Sequence, residues 1–410
     1  MPTLEEWEAA LSTPRYIKVD STNSLAQTIN RLPDSISFTG RPKKASGLPI
    51  FSPPKTIKIT PLEILRALGR ISTPKIENLT DLSSTWANIR YIWAFVPDQY
   101  PSNLRLSNYA QRIDPHQKTI LSDEIGIGIA SCIIERYFGG LNPIDVQIAL
   151  QNHVISGLSS QYTTSPDYIF NQINGDLIIV ECKCTQSGDR RSLSQLRRGT
   201  EQLPSLVFPS NQKTLALVVG TRLSQSDTLV NLIDPPDVPE SKGDYKKIII
   251  QNEEEFLEEL NLTQISNLYL YSGATIKAGE FVPFPKTKSL IEKLPQRDSP
   301  PEEIFIPELE QKYLGISNQF KSLGDVHQIN VFQGLSENVY RLLESRNMES
   351  VNQEAGIQYQ NIKSYSNQVD NTENKIEDSI PIIKAKEENE LRVYSLGKDG
   401  TCLKISVSKV

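Results

Sequence analysis

The sequence predicts an α/β protein, and three observations carry that expectation. Residues 120–222 read in succession as helix, strand, strand, strand, helix and strand. Within that run Asn174 and Gly175 separate two short apolar segments, the strongest short-range signal for a hairpin with a type I′ turn. The run closes on TLALVVGT at 214–221, a continuous apolar strand of the kind buried at the centre of a sheet.

The elements follow in order. Residues 3–12 form a short helix, with Thr3 as cap and Glu6 completing a capping box. Six prolines between 32 and 61 make RPKKASGLPIFSPPKTIKI an extended basic arm. PLEILRALGRI, from Pro61, is a proline-started helix ending near Gly69, open to a packing or a helix-turn-helix reading. Trp86, Tyr91 and Trp93 read as core aromatics. The helix over 120–140 is capped by Ser122 and stopped by Gly139-Gly140, with Ile125, Ile129, Cys132, Ile133 and Tyr137 on one face. DVQIALQNHVISG (145–157), SPDYIFNQ (165–172) and DLIIVECKC (176–184) are the three strands. RSLSQLRRGTEQLPSLV is the second helix, with Leu193, Leu196 and Leu203 inward. Further on, YKKIIIQ, NLYLYSG and INVFQ read as strands, and NEEEFLEEL, capped by Asn252, and LSENVYRLLES as helices. LRVYSLGKDGTCLKISVSKV is a hairpin around Asp399-Gly400. This divides the chain into an N-terminal accessory domain (1–115), an α/β core (116–222), an acidic α/β region (223–345), a polar linker (346–379) and a C-terminal hairpin (380–410).

The composition narrows the function classes. The chain has 410 residues, 38% hydrophobic and 22% charged. No stretch approaches the ~20 apolar residues of a membrane span, and the acidic start MPTLEEWEAALS has no signal-peptide character. Four cysteines (Cys132, Cys182, Cys184, Cys402) without a CxxC pair, and three histidines (His116, His153, His327), argue against a disulfide scaffold and a structural zinc. The expectation is a reduced, cytoplasmic protein. The net charge of -6 hides an asymmetry. Residues 1–115 carry 14 basic against 10 acidic groups, and residues 223–410 carry 20 against 30. Residues 31–75 alone hold nine basic groups against Asp34 and Glu63. A basic arm can bind a polyanion locally despite an acidic whole, because salt screens the field within about 8 Å.

The chemistry lies in SPDYIFNQINGDLIIVECKC. Asp167 opens one strand of the hairpin. Glu181 and Lys183 are two apart on the next, so both point to one face. The turn returns that strand beside Asp167, and two carboxylates with one ammonium converge at a sheet edge. Paired carboxylates repel unless a cation sits between them. Such oxygen ligands suit Mg²⁺, with Mn²⁺ as substitute, since it accepts one or two carboxylates and keeps waters and phosphate oxygens. A neighbouring lysine can orient the attacking water and offset charge on a phosphoryl transition state. The set fits metal-assisted phosphodiester hydrolysis.

Pro166-Asp167 followed by Glu181-Cys182-Lys183, in that element order, resembles the PD-(D/E)xK nuclease superfamily, with its restriction-endonuclease-like αβββαβ core. The resemblance covers about residues 118–222. It implies Asp167 and Glu181 as metal ligands, the Cys182 carbonyl as a further ligand, and Lys183 as the catalytic cation. It also implies a glutamate on the first helix, for which Glu124 is the choice, on a stripe with Gly128 and Ser131, and Glu135 the alternative. A glutamine on the second helix could be Gln195 or Gln202.

Arg190, Arg191, Arg197 and Arg198 cluster after the active strand, where they could contact phosphates or simply be solvated. Lys43 and Lys44, with Arg41, Lys55 and Lys58, belong to the basic arm. Cys182 and Cys184 alternate with Glu181 and Lys183 and face the core. His116 and His153 read as structural. The resulting expectation is a Mg²⁺-dependent endodeoxyribonuclease, acting in defence against foreign DNA as a restriction-type or anti-phage effector. The alternatives are a catalytically silent nuclease-fold scaffold that recruits a partner, and a repair or recombination nuclease. Double-strand cleavage would favour a homodimer. No Walker A loop is present, so an ATP-driven step would need a separate ATPase subunit, docked on the acidic C-terminal region.

Overall fold

The computed structural model describes residues 2–33, 45–72, 83–149, 165–203, 206–208, 214–235, 248–250, 252–283, 288–289, 291–298, 300, 302–321, 327–369 and 382–409. The elements are α1 (Leu4–Ser12), β1 (Arg15–Asp20), α2 (Asn23–Arg31), β2 (Lys55–Ile59), α3 (Pro61–Ser72), α4 (Ser83–Ile89), β3 (Ser102–Asn103), α5 (Asn108–Arg112) and α6 (Pro115–Ile133). Then come β4 (Leu141–Asp145), α7 (Val146–Ala149), β5 (Tyr168–Asn171), β6 (Leu177–Thr185), α8 (Asp189–Gln202), β7 (Leu206–Val207), β8 (Thr214–Leu223), β9 (Thr228–Ile233) and β10 (Ile248–Ile249). The chain ends with α9 (Glu253–Tyr271), α10 (Thr275–Phe281), β11 (Glu302–Ile306), β12 (Gln311–Lys321), β13 (His327–Ser336), α11 (Glu337–Leu342), α12 (Met348–Val369), β14 (Ile382–Lys386), β15 (Glu390–Leu396) and β16 (Thr401–Lys409). No helix among the described residues is long and apolar enough to cross a membrane.

Two sheets organise this mixed α/β fold. The first runs β2-β1-β9-β8-β6-β5-β4, with β3 on β1, and the second runs β11-β12-β13-β16-β15-β14. The expected order survives as α6, β4, β5, β6, α8, β8, with β6 and β8 parallel and the β4–β5–β6 contacts antiparallel. The boundary expected at residue 115 does not separate sheets, because β1 pairs with β9 and joins β2 to the core sheet. One continuous apolar cluster likewise spans Trp7, Leu65, Ile129, Val180, Val331 and Ile405.

Several local expectations change. Asp114, not Ser122, caps α6: its carboxylate accepts from the His116 amide at 2.7 Å, while the Ser122 hydroxyl donates to the Lys118 carbonyl within the helix. A π-helical turn, Ile134–Phe138, carries it on to Gly139, whose φ of +67 ends it. Helix α3 continues past Gly69 because the residue marks a close approach rather than an end; a Cβ there would lie 1.9 Å from Asn88 Oδ1. The strand expected over 145–157 is β4 at 141–145 followed by α7, and its remainder from 150 lies outside the described residues. NLYLYSG is the end of α9, which stays helical to Tyr271 because Gln264, Ser266 and Asn267 are buried alongside Leu268 and Tyr269 and the chain turns only at Gly273, φ +82. The expected linker contains the 22-residue helix α12, which buries Met348, Val351, Ala355, Tyr359 and Ile362 at helical spacing.

Buried charge joins the C-terminal sheet to the core. The loop between β15 and β16 inserts Asp399 between Arg66 Nη1 (3.8 Å) and Arg70 Nε (3.4 Å). Arg66 Nη2 also pairs with Glu135 at 2.6 Å, and Arg66 Nη1 donates to the Thr401 hydroxyl at 2.9 Å. Arg136 pairs with Glu63 in the same buried layer.

Candidate active site

The hairpin that carries the site is built from β5 and β6, paired from Tyr168↔Val180 to Asn171↔Leu177. Its turn is not type I′, which needs positive φ at both central residues. Only Gly175 is left-handed, with φ +83, and the Gln172 amide donates to the Asp176 carbonyl at 2.8 Å across a three-residue loop. The Asn174 side chain closes the loop by bonding Asp176 instead of adopting the left-handed conformation itself.

Strand parity then sorts the side chains. Ile178 and Val180 belong to the core under α6, whereas Leu177 and Ile179 belong to a second core with Leu196 of α8 and Val218 of β8. Glu181 and Lys183 continue this second face. Helix α8 crosses them at Gly199, where a Cβ would lie 2.4 Å from Val218 Cγ1 and 3.3 Å from Glu181 Cγ. A glycine inside a helical run signals close approach, and RRGTEQ carried that signal unread.

Asp167 precedes β5, and extending the ladder by one pair sets it across from Glu181. Its amide donates to the Val180 carbonyl at 3.0 Å, and its Oδ2 accepts from the Cys182 amide at 2.8 Å. Glu181 is fully buried. Its Oε1 is paired with the Lys183 ammonium, and its Oε2 has no hydrogen-bond partner. Burial, and next the charge of Asp167, push its carboxyl up to about 8 against the opposing pull of Lys183. Asp167, Glu181 and Lys183 therefore do converge.

The other expected residues divide. Glu124 sits on α6, which packs against the opposite face of β6, and its carboxylate pairs with Arg90 Nη1 at 3.2 Å. The reason is which glycine faces the sheet. Gly126 meets Cys184 of β6, whereas Gly128 meets Ile64 of α3, so the stripe with Gly128 and Ser131 points at a helix. Glu135 is consumed by Arg66 and by the Lys398 amide at 2.5 Å. Cys182 and Cys184 face α6 as expected, and burial raises both thiols. Gln195 and Gln202 lie on α8 with their side-chain carbonyl oxygens buried and unbonded. Arg190, Arg191 and Arg198 are exposed. Arg197 is buried, its Nη1 donating to Thr200 at 3.3 Å, and so is no phosphate contact. Lys43, Lys44, Arg41 and His153 lie outside the described residues. Lys55 and Lys58 are on β2, the sheet edge separated from β6 by β1, β9 and β8. His116 is exposed, Trp86 is 53% exposed rather than core, and Trp93 packs edge-on against Trp7 at 4.8 Å. Arg222, which pairs with Asp189 at the start of α8 at 3.0 Å, had no local signal in the sequence.

A divalent cation fits this donor set in one respect and is limited in another. The unpaired Glu181 oxygen beside the Asp167 carboxylate offers two hard oxygen donors, the number Mg²⁺ takes from protein. Among the described residues no group of three or more His, Cys, Asp or Glu side chains could hold a metal. Any further ligands must come from backbone, water or substrate.

No family model, curated protein or solved structure matches this chain. The reading therefore rests on the geometry and on the motif.

Proposed function

We propose that this protein is a divalent-metal-dependent nuclease that hydrolyses DNA phosphodiester bonds, serving in defence against foreign DNA. The observation that carries the reading is the buried Glu181 carboxylate, with one oxygen on Lys183 and the other unpaired next to Asp167. A carboxylate without a full set of partners is costly to bury in a purely structural role. Asp167 and Glu181 would hold Mg²⁺ or Mn²⁺, which supplies electrophilic activation of the scissile phosphate. Glu181 gives up its proton to do so, since ligands bind deprotonated. Lys183, whose side chain is 20% exposed, reaches the outer edge of the pair and stabilises charge on the phosphate oxygens. The exposed Arg190 and Arg191 at the start of α8 bind flanking phosphates. The specific role in defence, and an ATPase partner, rest on the motif's resemblance alone.

The second reading is a silent scaffold, favoured by one observation: Glu181 is wholly covered, with Gly199 of α8 packed over it. Plasmid and linear DNA, incubated with the protein and Mg²⁺, separate the two. Cleavage by the wild type and its loss in Asp167→Asn and Lys183→Ala supports the nuclease. Intact DNA with every metal tested leaves the scaffold.

A further inference from the structure

A cavity of about 400 Å³ opens where the loop after Phe95, the start of α5 and the turn between β8 and β9 meet. Val96, Pro97 and Leu106 give it apolar walls, and Arg105, Asn108 and Gln225 give it polar ones. We propose that this cavity receives one unpaired nucleobase of the nucleic acid, which makes the protein a reader of single-stranded or locally opened substrate. The proposal rests on the nuclease reading and names the substrate class for that site.

The walls are fixed before any ligand arrives. The Val96 amide donates to the Arg105 carbonyl at 3.1 Å, and the Leu106 amide to the Ser224 carbonyl at 2.8 Å. The Ser107 hydroxyl holds the Trp93 carbonyl at 2.6 Å. The Asp98 carboxylate grips Arg105 through Nη2 at 2.9 Å and Nε at 3.3 Å, which locks the guanidinium plane. Such a plane offers a flat face on which a base can stack. By contrast, Asn108 and Gln225 are exposed, and among the described residues their side-chain amides make no hydrogen bond. An amide presents a donor and an acceptor side by side, the pattern that pairs with a base edge. Apolar walls, a planar cation and two unused amides together match a base better than a phosphate, which asks for unpaired cations. Tyr100 and Tyr109, 79% and 61% exposed, project from the same two segments and offer stacking platforms for neighbouring bases.

The position suits a strand leading to the candidate active site. Thr185 on β6 is level with Arg222 on β8, and Gln225 follows three residues later. About 13 Å of strand separates Glu181 from Thr185 at ~3.3 Å per residue. Arg222 also holds Asp189, so the exposed Arg190 and Arg191 sit at the same end of the sheet. One strand could thus run from the carboxylates past these arginines to the cavity within a few nucleotides.

Photocrosslinking tests this with a single-stranded oligonucleotide carrying 4-thiothymidine, bound to the Lys183→Ala protein so that it stays uncut. The expected crosslinks map to the peptides holding 96–109 and 224–228. In a parallel titration, Asn108→Leu with Gln225→Leu lowers affinity for the oligonucleotide about tenfold by removing the base-edge hydrogen bonds, with an unchanged melting temperature showing that the fold is kept. Crosslinks elsewhere, or equal affinity in the double variant, overturn the cavity while wild-type DNA cleavage leaves the nuclease reading standing. Absence of both oligonucleotide binding and cleavage in the wild type overturns both.

Discussion

Arg70 Nε lies 3.4 Å from Asp399 Oδ2, so a side chain of the third helix and the tip of the last hairpin share one buried ion pair. Arg66 completes the contact from one turn earlier and binds Glu135 with its other nitrogen. Burial, and to a lesser extent the charge of Arg66, lower the Arg70 pKa, and Asp399 opposes that shift. Removing one partner leaves a buried charge uncompensated, which typically costs about 3–5 kcal/mol. Asp399→Ala should therefore lower the melting temperature by well over 5 °C, measured calorimetrically. Deleting 346–410 should unfold the chain, because β16 pairs with β13 along nine residues and its loop neutralises Arg66 and Arg70. A truncated protein with native circular dichroism would contradict this. Lys384 and Lys386 of β14 add surface ion pairs to Glu8 and Glu5 of α1.

The three converging residues yield the sharpest catalytic test. Asp167→Asn, Glu181→Gln and Lys183→Ala should each reduce Mg²⁺-dependent cleavage at least a hundredfold, about 3 kcal/mol in the barrier. Near pH 5, where Glu181 keeps its proton, melting temperatures should stay within a few degrees of wild type. A variant that cuts at the wild-type rate removes that residue from the site.

Glu181 also sets a pH dependence. Its folded value of about 8 lies above the ordinary carboxyl value of 4.5. A raised acid binds its proton more tightly when folded, so this contribution is complete below pH 4.5 and declines as pH rises toward 8. Glutamine at 181 mimics the protonated form. In EDTA, Glu181→Gln should match the wild type near pH 5 and melt higher than it at pH 9. Parallel melting curves for the two proteins across that range would refute the buried, proton-holding carboxyl.

Metal addition should reverse that trend. At pH 8, millimolar Mg²⁺ or Mn²⁺ should raise the melting temperature of the wild type, since a ligand that binds only the folded state stabilises it by mass action. Asp167→Ala should lose the shift. An equal shift in that variant would place the ion elsewhere.

Arg190 and Arg191 should act as phosphate contacts. Replacing both with glutamine should weaken duplex binding and reduce the slope of log affinity against log salt by about two, one per lost contact. Replacing Arg197 should instead lower stability, because that side chain is buried against Thr200.

The sequence alone determined the local parts. The order α6 to β8, the Thr3–Glu6 capping box, the Gly139 stop and the shared face of Glu181 and Lys183 follow from periodicity, caps and strand alternation, which act over a few residues. Helix α12 was within reach as well, but five anchors spread through a polar stretch fall below what composition reveals. Tertiary structure decided the rest, because each outcome depends on which surface arrives opposite. Gly126 rather than Gly128 meets β6, and Arg90 pairs with Glu124. Arg66 claims Glu135, Thr200 claims Arg197, and Gly199 brings α8 down over Glu181. That last approach removes water from a carboxylate and raises its pKa, a property that no spacing of residues along the chain contains.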